Sequence, residues 1–152
     1  MRTHPKPKSK QNFHLTESAL VILLLWSFAA ATVLPLSSEV PLAVAIRQTG
    51  DWPVPVLVAT LGNYLGACTT FYLARAAAAR LQVDARPRTR HAAALLRRFG
   101  APALLLSWIP LIGDVLVALA GAARVPFGWF SLWVILGKGA RYLAVAWLTL
   151  RW

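Results

Sequence analysis

The sequence of 152 residues is 58% hydrophobic, contains only five Asp and Glu residues, and carries a formal net charge of +11. Apolar stretches recur along most of its length, which excludes an ordinary water-soluble domain and indicates an all-α integral membrane protein. The charge does not indicate nucleic-acid binding, because the basic residues flank the apolar stretches, as the positive-inside rule describes, and no nucleic-acid-binding motif accompanies them.

The chain opens with a basic tail, residues 1–14, and continues with the hydrophobic stretch Glu17–Leu36. A basic region before an apolar run that contains small residues also resembles a secretory signal peptide. We favour a retained segment, because cleavage there would remove most of the residues that lead into Pro35 and Glu39. Residues 15–152 are therefore interpreted as one membrane domain.

Three more hydrophobic stretches follow: Trp52–Ala74, Ala101–Ala122 and Phe127–Leu150. At about 1.5 Å per residue, all four stretches are roughly long enough to cross a hydrocarbon core of about 30 Å. Residues 75–98 hold seven arginines against one aspartate, which predicts a solvated cytoplasmic linker between the second and third stretches. The single cysteine and the three histidines do not cluster at metal-ligand spacing, so no metal or cofactor is predicted.

The chain nearly repeats itself at an offset of 75 residues. Leu34–Val40 returns as Ile109–Val115, and the register then holds over at least 28 positions without a gap. The offset predicts two pseudo-repeats, repeat 1 at about 17–74 and repeat 2 at about 99–150. Internal repeats with interrupted hydrophobic segments in corresponding positions are typical of membrane transporters whose site lies where the two halves meet.

Both repeats contain a helix-breaking proline inside the apolar run, Pro35 in the first and Pro110 in the second, and Gly113 follows the second. Backbone groups freed by such a break are tolerated only where protein or a water-filled cavity surrounds them. The paired breaks therefore predict, in each repeat, a re-entrant helical hairpin followed by a transmembrane helix. The alternative is that each proline merely ends or kinks a spanning helix.

The two interpretations give different topologies. If both interrupted segments are re-entrant, the repeats are inverted, and the basic tail and the basic linker fall on opposite sides of the membrane. If the first stretch spans completely, both basic regions can be cytoplasmic, as the positive-inside rule favours, but the repeats then run parallel. We expect re-entrant hairpins, and the orientation of the N-terminus is left open.

Glu39 and Asp114 are the strongest candidates for function, because a carboxylate near the bilayer centre costs about 2.5 to 3.5 kcal/mol and needs a partner, a proton or water. Lys138 and Arg141, three residues apart on one helix face, are the candidate partners. Two such cations could also receive a phosphate group. The alternative places each acid at an interfacial helix N-terminus. Further candidate residues are Arg124, in the turn before Phe127, and Asn63, which corresponds to Lys138 at the repeat offset.

Several of these motifs together resemble the DedA/VTT membrane family, and in particular its short YqaA-like branch. The resemblance covers roughly Ala19 to Trp147 and is most specific in the second repeat, where the order and spacing of the motifs agree. The residues that carry it are Leu34–Val40, Gly62-Asn63, Ser107-Trp108-Ile109-Pro110, Gly113-Asp114, Ala120-Gly121 and Leu136-Gly137-Lys138.

The resemblance implies two facing re-entrant hairpins, a location in bacterial inner membranes or eukaryotic endomembranes, and a role in lipid scrambling or flipping, including polyprenyl-phosphate carriers, with proton-dependent membrane homeostasis. It assigns the acidic residue of the first hairpin to Glu39 and the hairpin proline of the second to Pro110. Typical members carry arginines where this sequence has Ser107 and Gly113. That departure puts a polyprenyl-phosphate substrate in question.

We interpret the chain as a small multi-pass inner-membrane transporter or lipid flippase, and not as an enzyme, because no nucleophile, base and orienting residue occur at useful spacing. The expected partners are membrane lipids, anionic or phosphate-bearing, with proton exchange at the carboxylates and a homodimer as one way to complete a pathway. The alternative is a non-transporting membrane protein that stabilises partners or lipid packing through structural ion pairs. The sequence identifies neither the substrate, the coupling ion nor the oligomer.

Overall fold

The computed structural model describes residues 9–32, 38–80 and 94–151, with side chains from residue 17 onwards in the first range. All regular structure in these ranges is helical, which confirms the all-α prediction for them. Residues 94–99 form a short helical segment that ends just before Ala101. The elements are α1 (Ser9–Thr32), α2 (Glu39–Thr49), α3 (Pro53–Arg80), a 3₁₀ helix (Ala101–Trp108), α4 (Ile112–Ala122) and α5 (Phe127–Arg151).

The helices fall into two length classes. Among the described helices, only α3, with 28 residues, is both long enough and apolar enough throughout to cross a membrane by those two criteria. α1 and α5 have 24 and 25 residues, although the apolar part of α1 is the shorter segment Glu17–Thr32. α2 and α4 have 11 residues each, which corresponds to about 16 Å, or half of a hydrocarbon core.

The apolar run of Ala101–Ala122 alone would predict one helix of spanning length. The stretch instead forms two shorter helices. The chain turns between the 3₁₀ helix and α4, where Pro110 lacks an N–H group and Leu111 adopts a positive φ of 65°. The Ile109 carbonyl accepts the N–H of Gly113 at 2.8 Å across this turn. The 3₁₀ helix and α4 then pack against each other as the two arms of a hairpin.

α2 begins at Glu39 and ends at Gly50, which adopts the left-handed conformation with a φ of 68° and donates its N–H to the Ile46 carbonyl at 3.0 Å. Arg47 lies in the last turn, where a cation is favoured by the negative end of the helix dipole. Trp52, 43% exposed, immediately precedes α3. Aromatic side chains of this kind favour the membrane–water interface.

Two apolar cores lie along the packed pair α3 and α5, one at the N-terminal half of α3 and one at its C-terminal half. The first joins α2 to α1, α3 and α5, and the second joins α4 to the 3₁₀ helix, α3 and α5. The first core contains Leu23, Leu42, Ala45, Ile46, Val56, Ala59, Tyr142 and Ala146. The second contains Ala67, Phe71, Leu104, Leu116, Val117, Ala120, Phe130 and Val134.

Some sequence predictions concern residues beyond the described ranges. Pro35, most of the basic tail and residues 81–93 of the basic linker are among them. α1 begins at Ser9, so the described part of the chain starts inside the segment assigned to the tail, 1–14. The prediction of a break at Pro35 therefore stays a prediction.

Candidate functional site

Two ion pairs join the first turns of α2 and α4 to α5. Glu39 is the first residue of α2, and its Oε1 atom accepts hydrogen bonds from Nε and Nη2 of Arg141 at 3.1 and 2.9 Å. Asp114 lies in the first turn of α4, with Oδ1 3.8 Å from Nζ of Lys138. The positive end of a helix dipole also favours a carboxylate in the first turn. Each acid is therefore stabilised by a cation and by its own helix.

The two cations are the less exposed members of these pairs, with Lys138 buried and Arg141 partly buried. The Lys138 and Arg141 side chains are 5% and 17% exposed, whereas those of Asp114 and Glu39 are 44% and 43% exposed. The spacing of three residues puts both cations on one face of α5, as the sequence predicted. A buried cation is costly unless a counter-charge and hydrogen bonds compensate. The acids thus provide counter-charges for one buried and one partly buried cation, while they stay accessible themselves.

Asn63 on α3 provides a second partner for Lys138. The Lys138 ammonium donates a hydrogen bond to Oδ1 of Asn63, which is itself 5% exposed. This bond links α3 to α5. The two ion pairs are also close to each other, because Asp114 lies within electrostatic reach of Arg141. The structure thus brings five of the six candidate residues together, and we call them the charged cluster: Glu39, Asn63, Asp114, Lys138 and Arg141.

A buried hydroxyl pair adjoins the charged cluster. Ser38 and Tyr142 share a hydrogen bond of 2.6 Å between Oγ and Oη, and both are about 1% exposed. Sequence reasoning missed these two residues, although each is the chain neighbour of a charged-cluster residue and Tyr142 lies four residues after Lys138, on the same helix face. The pair adds a second polar link between the start of α2 and α5.

The hairpin around Pro110 is closed by its own packing. A Cβ atom at Gly113 would lie 2.5 Å from the Ser107 carbonyl oxygen, and one at Gly137 would lie 2.7 Å from Ser107 Oγ. Ser107 is 2% exposed, and its Oγ has no hydrogen-bond partner in the described part of the chain. Ser107 and Gly113 are therefore packed tightly. Both cations of the charged cluster come from α5.

Two other sequence candidates lie elsewhere. Arg124 is exposed in the turn between α4 and α5, with a positive φ of 55°, and forms no ion pair with any described residue. It precedes Lys138 by fourteen positions, which corresponds to about 20 Å along a helix. Pro110 lies in the turn between the 3₁₀ helix and α4, and Pro35 is outside the described residues. Arg124 is therefore not brought to the charged cluster.

The charged cluster contains two cations of different shape and no group of metal ligands within the described ranges. Within the described ranges, no three His, Cys, Asp or Glu side chains come together in a group that could hold a metal ion. Arg141 presents a planar guanidinium that matches carboxylate and phosphate geometry, and Lys138 presents a compact ammonium. Both cations are groups that bind oxyanions, whether carboxylate or phosphate.

Comparison with known proteins gives the family. The VTT domain matches residues 34–149, which include all five residues of the charged cluster. The chain belongs to the VTT-domain family. The DedA/VTT resemblance seen in the sequence is thereby confirmed.

Several curated relatives match this VTT-domain protein along nearly its whole length. The inner membrane protein YqaA of Escherichia coli is 42% identical over 129 residues, covering 84% of this chain and 89% of the relative. The YqaA of Shigella flexneri gives the same values. An uncharacterized protein of Haemophilus influenzae is 40% identical over 141 residues, covering 87% of this chain and 88% of the relative. No solved structure gives a significant match.

Proposed function

We propose that this VTT-domain protein is a small inner-membrane transporter that moves lipids with anionic or phosphate-bearing headgroups across the bilayer, with the charged cluster as its site. The observation that carries the proposal is the pair of ionic contacts inside otherwise apolar segments, at 2.9 Å between Glu39 and Arg141 and 3.8 Å between Asp114 and Lys138. Ionisable groups inside membrane segments are costly and typically mark substrate or ion pathways.

The proposal includes two repeats that enclose the site. Five of the eight residues in the first core correspond, at the 75-residue offset, to residues of the second core. The corresponding pairs are Leu42 and Val117, Ala45 and Ala120, Ala59 and Val134, Ala67 and Tyr142, and Phe71 and Ala146. Asn63 and Lys138, which bond to each other, are also 75 residues apart. These correspondences support a pseudo-twofold relation between the halves, with an axis near the Asn63–Lys138 bond.

The lengths of α2, α4 and the 3₁₀ helix support re-entrant arms. α2 and α4 each extend over about 16 Å, and the eight residues of the 3₁₀ helix also extend over about 16 Å at 2.0 Å per residue. None of the three can cross a hydrocarbon core of about 30 Å alone. We therefore propose a multi-pass protein in which α3 and α5 cross the membrane and the shorter arms meet beside α5 at mid-depth.

The cellular location follows from the relatives. Two of them carry the name inner membrane protein YqaA, and each is covered over 89% of its length by this chain. We propose the same location for this protein. Within it, rocking of one repeat against the other would open the charged cluster alternately to the two leaflets, as in other transporters with internal repeats.

The test is lipid movement in liposomes reconstituted with the purified full-length protein, with and without a proton gradient. Labelled phospholipid and labelled polyprenyl phosphate are followed in wild type, Glu39→Gln and Asp114→Asn, each checked for folding and insertion. We expect movement of one or both lipids by wild type and a loss of at least tenfold in each variant. Wild-type protein that is folded and inserted but moves neither lipid would overturn the proposal.

A second candidate is supported by the completeness of the pairing. Both acids of the charged cluster already have a cation, which is also what a purely structural role in a non-transporting protein requires. The exchanged variant Glu39→Arg with Arg141→Glu separates the two functions. A structural pair should keep the stability and the activity of the protein after the exchange. A transport site should lose lipid movement, because its charges are then reversed relative to the substrate.

A further inference from the structure

A groove runs along the outer side of the α2–α5 contact. It has a cavity volume of about 510 Å³, within the range of small-molecule pockets in proteins. Its middle is lined by apolar side chains, among them Val40, Val44 and Leu148. These three side chains are 67%, 46% and 55% exposed, so they are not covered by the rest of the chain. The groove is therefore open to the surroundings along the length of α2.

The two ends of the groove are charged and differ in character. Glu39 lies at one end, paired with Arg141 of the charged cluster, and Arg47 lies at the other, eight residues or about 12 Å along α2. Arg47 is exposed and forms no ion pair with a described residue. An apolar channel that begins at an available guanidinium complements an amphiphile with an anionic head and a hydrocarbon tail.

The depth of Arg47 also fits a headgroup. Arg47 lies in the last turn of α2, and Trp52 follows five residues later, after the turn at Gly50. Exposed tryptophan and arginine side chains near a helix end are typical of the membrane–water interface, where lipid phosphates lie. The opposite end of the groove opens at the carboxylate of the charged cluster. The groove thus connects headgroup level with the site proposed above.

We propose that this groove is a lateral binding site for one anionic phospholipid, with its phosphate on Arg47 and an acyl chain against Val40, Val44 and Leu148. It rests on the proposed function as the place from which a lipid reaches the charged cluster, but binding itself does not require transport. If two copies paired groove to groove around a twofold axis, the acid opposite Arg47 would come from the groove lining, which offers only Glu39, and Glu39 is already paired with Arg141.

The test is photo-crosslinking of the full-length protein in phosphatidylcholine nanodiscs with phosphatidylglycerol that carries a diazirine in its acyl chain. Labelled positions are located by peptide mass spectrometry in wild type, Arg47→Gln, Leu148→Trp and the control Arg124→Gln, which changes an exposed arginine outside the groove. A diacylglycerol probe with the same diazirine chain but no phosphate serves as the matched ligand. Circular dichroism and gel filtration establish that each variant folds as wild type does.

We expect wild-type labelling to concentrate on α2 and on residues 145–149, and to fall about fivefold in Arg47→Gln, since one basic residue near the surface gives about a fivefold effect on an anionic lipid. Leu148→Trp should lower the labelling by filling the groove, and Arg124→Gln should leave it unchanged. The diacylglycerol probe should show no dependence on Arg47. Equal labelling of all lipid-facing helices, insensitivity to Arg47, or a groove occupied by a crosslinked second protein chain would overturn the proposal.

The same variants keep the two proposals distinguishable. Arg47-dependent labelling in a protein that moves no lipid would support the groove as a lipid-binding site and overturn the proposed transport function. Lipid movement that requires Glu39 and Asp114, without Arg47-dependent labelling, would support the proposed transport function and overturn the groove as a lipid-binding site. Lipid movement slowed by Arg47→Gln at low lipid density, and restored at high density, is the result expected if both are correct.

Discussion

Gly137 and Gly139 lie two residues apart on α5, but an added methyl group would meet a different environment at each. A Cβ atom at Gly137 would lie 2.7 Å from the Leu105 carbonyl oxygen and 2.7 Å from Ser107 Oγ. At Gly139 the nearest atom outside the helix is Thr60 Cγ2, at an ordinary contact distance of 3.9 Å. Gly137→Ala and Gly139→Ala therefore form a matched pair that tests how closely the 3₁₀ helix packs on α5.

The expected difference in stability follows from these contacts. Both substitutions gain about 0.5 to 1 kcal/mol from the better helix propensity of alanine. Only Gly137→Ala also forces apart a backbone carbonyl and a helix, and overpacking of this kind costs about 1 to 3 kcal/mol. Gly139→Ala should therefore raise the free energy of unfolding, and Gly137→Ala should fall about 1 to 3 kcal/mol below it.

Equilibrium unfolding by SDS in mixed micelles, followed by tryptophan fluorescence, measures both values in the purified protein. The wild type is the reference, and the two variants are compared under identical detergent conditions. If both variants are stabilised to the same extent, within about 0.5 kcal/mol, the close approach of the 3₁₀ helix to Gly137 is wrong.

Three further predictions concern polar contacts. A double-mutant cycle of Glu39→Gln and Arg141→Met should give a coupling energy of about 1 to 2 kcal/mol in the same unfolding assay, reduced by screening because the carboxylate is 43% exposed; a value near zero would show that the pair does not stabilise the fold. Tyr142→Phe should lower the free energy of unfolding by about 1 kcal/mol, because it removes the buried hydrogen bond to Ser38. The loss should exceed that of Tyr64→Phe, because the Tyr64–Ser131 bond is only part-buried; the opposite order would contradict this. Asp114→Asn should lower the free energy of unfolding by about 3 kcal/mol, because it removes the counter-ion of the buried Lys138 ammonium; a loss below about 1 kcal/mol would show that Lys138 is not buried as a charged group.

The sequence predicted the parts of the fold that depend on local chemistry. Apolar stretches without alternation predicted helices, and Pro110 followed by Gly113 predicted the interruption inside Ala101–Ala122. The spacing of Lys138 and Arg141 predicted one helix face with two cations. Each of these features follows from residues within a few positions of one another, and so a single sequence contains enough information for them.

Other features depend on contacts between distant parts of the chain. The pairing of Glu39 with Arg141 joins positions 102 residues apart, and the spacing of charges in the sequence does not decide which acid takes which cation. The Ser38–Tyr142 bond spans 104 residues, and single hydroxyls in apolar helices give no signal of their own. The positive φ of Leu111 has no local signal either. Leucine rarely adopts a positive φ, and the packed hairpin arms impose this conformation.

The bond between Asn63 and Lys138 has a consequence for how such a protein can be built. If the two halves were separate, identical subunits around a true twofold axis, the same side chain would face itself at this position. Two lysines would repel each other, and two asparagines would leave Asp114 without its cation. An asparagine opposite a lysine therefore requires two halves that differ in sequence, which a single chain that contains both halves provides and a symmetric pair of identical subunits does not.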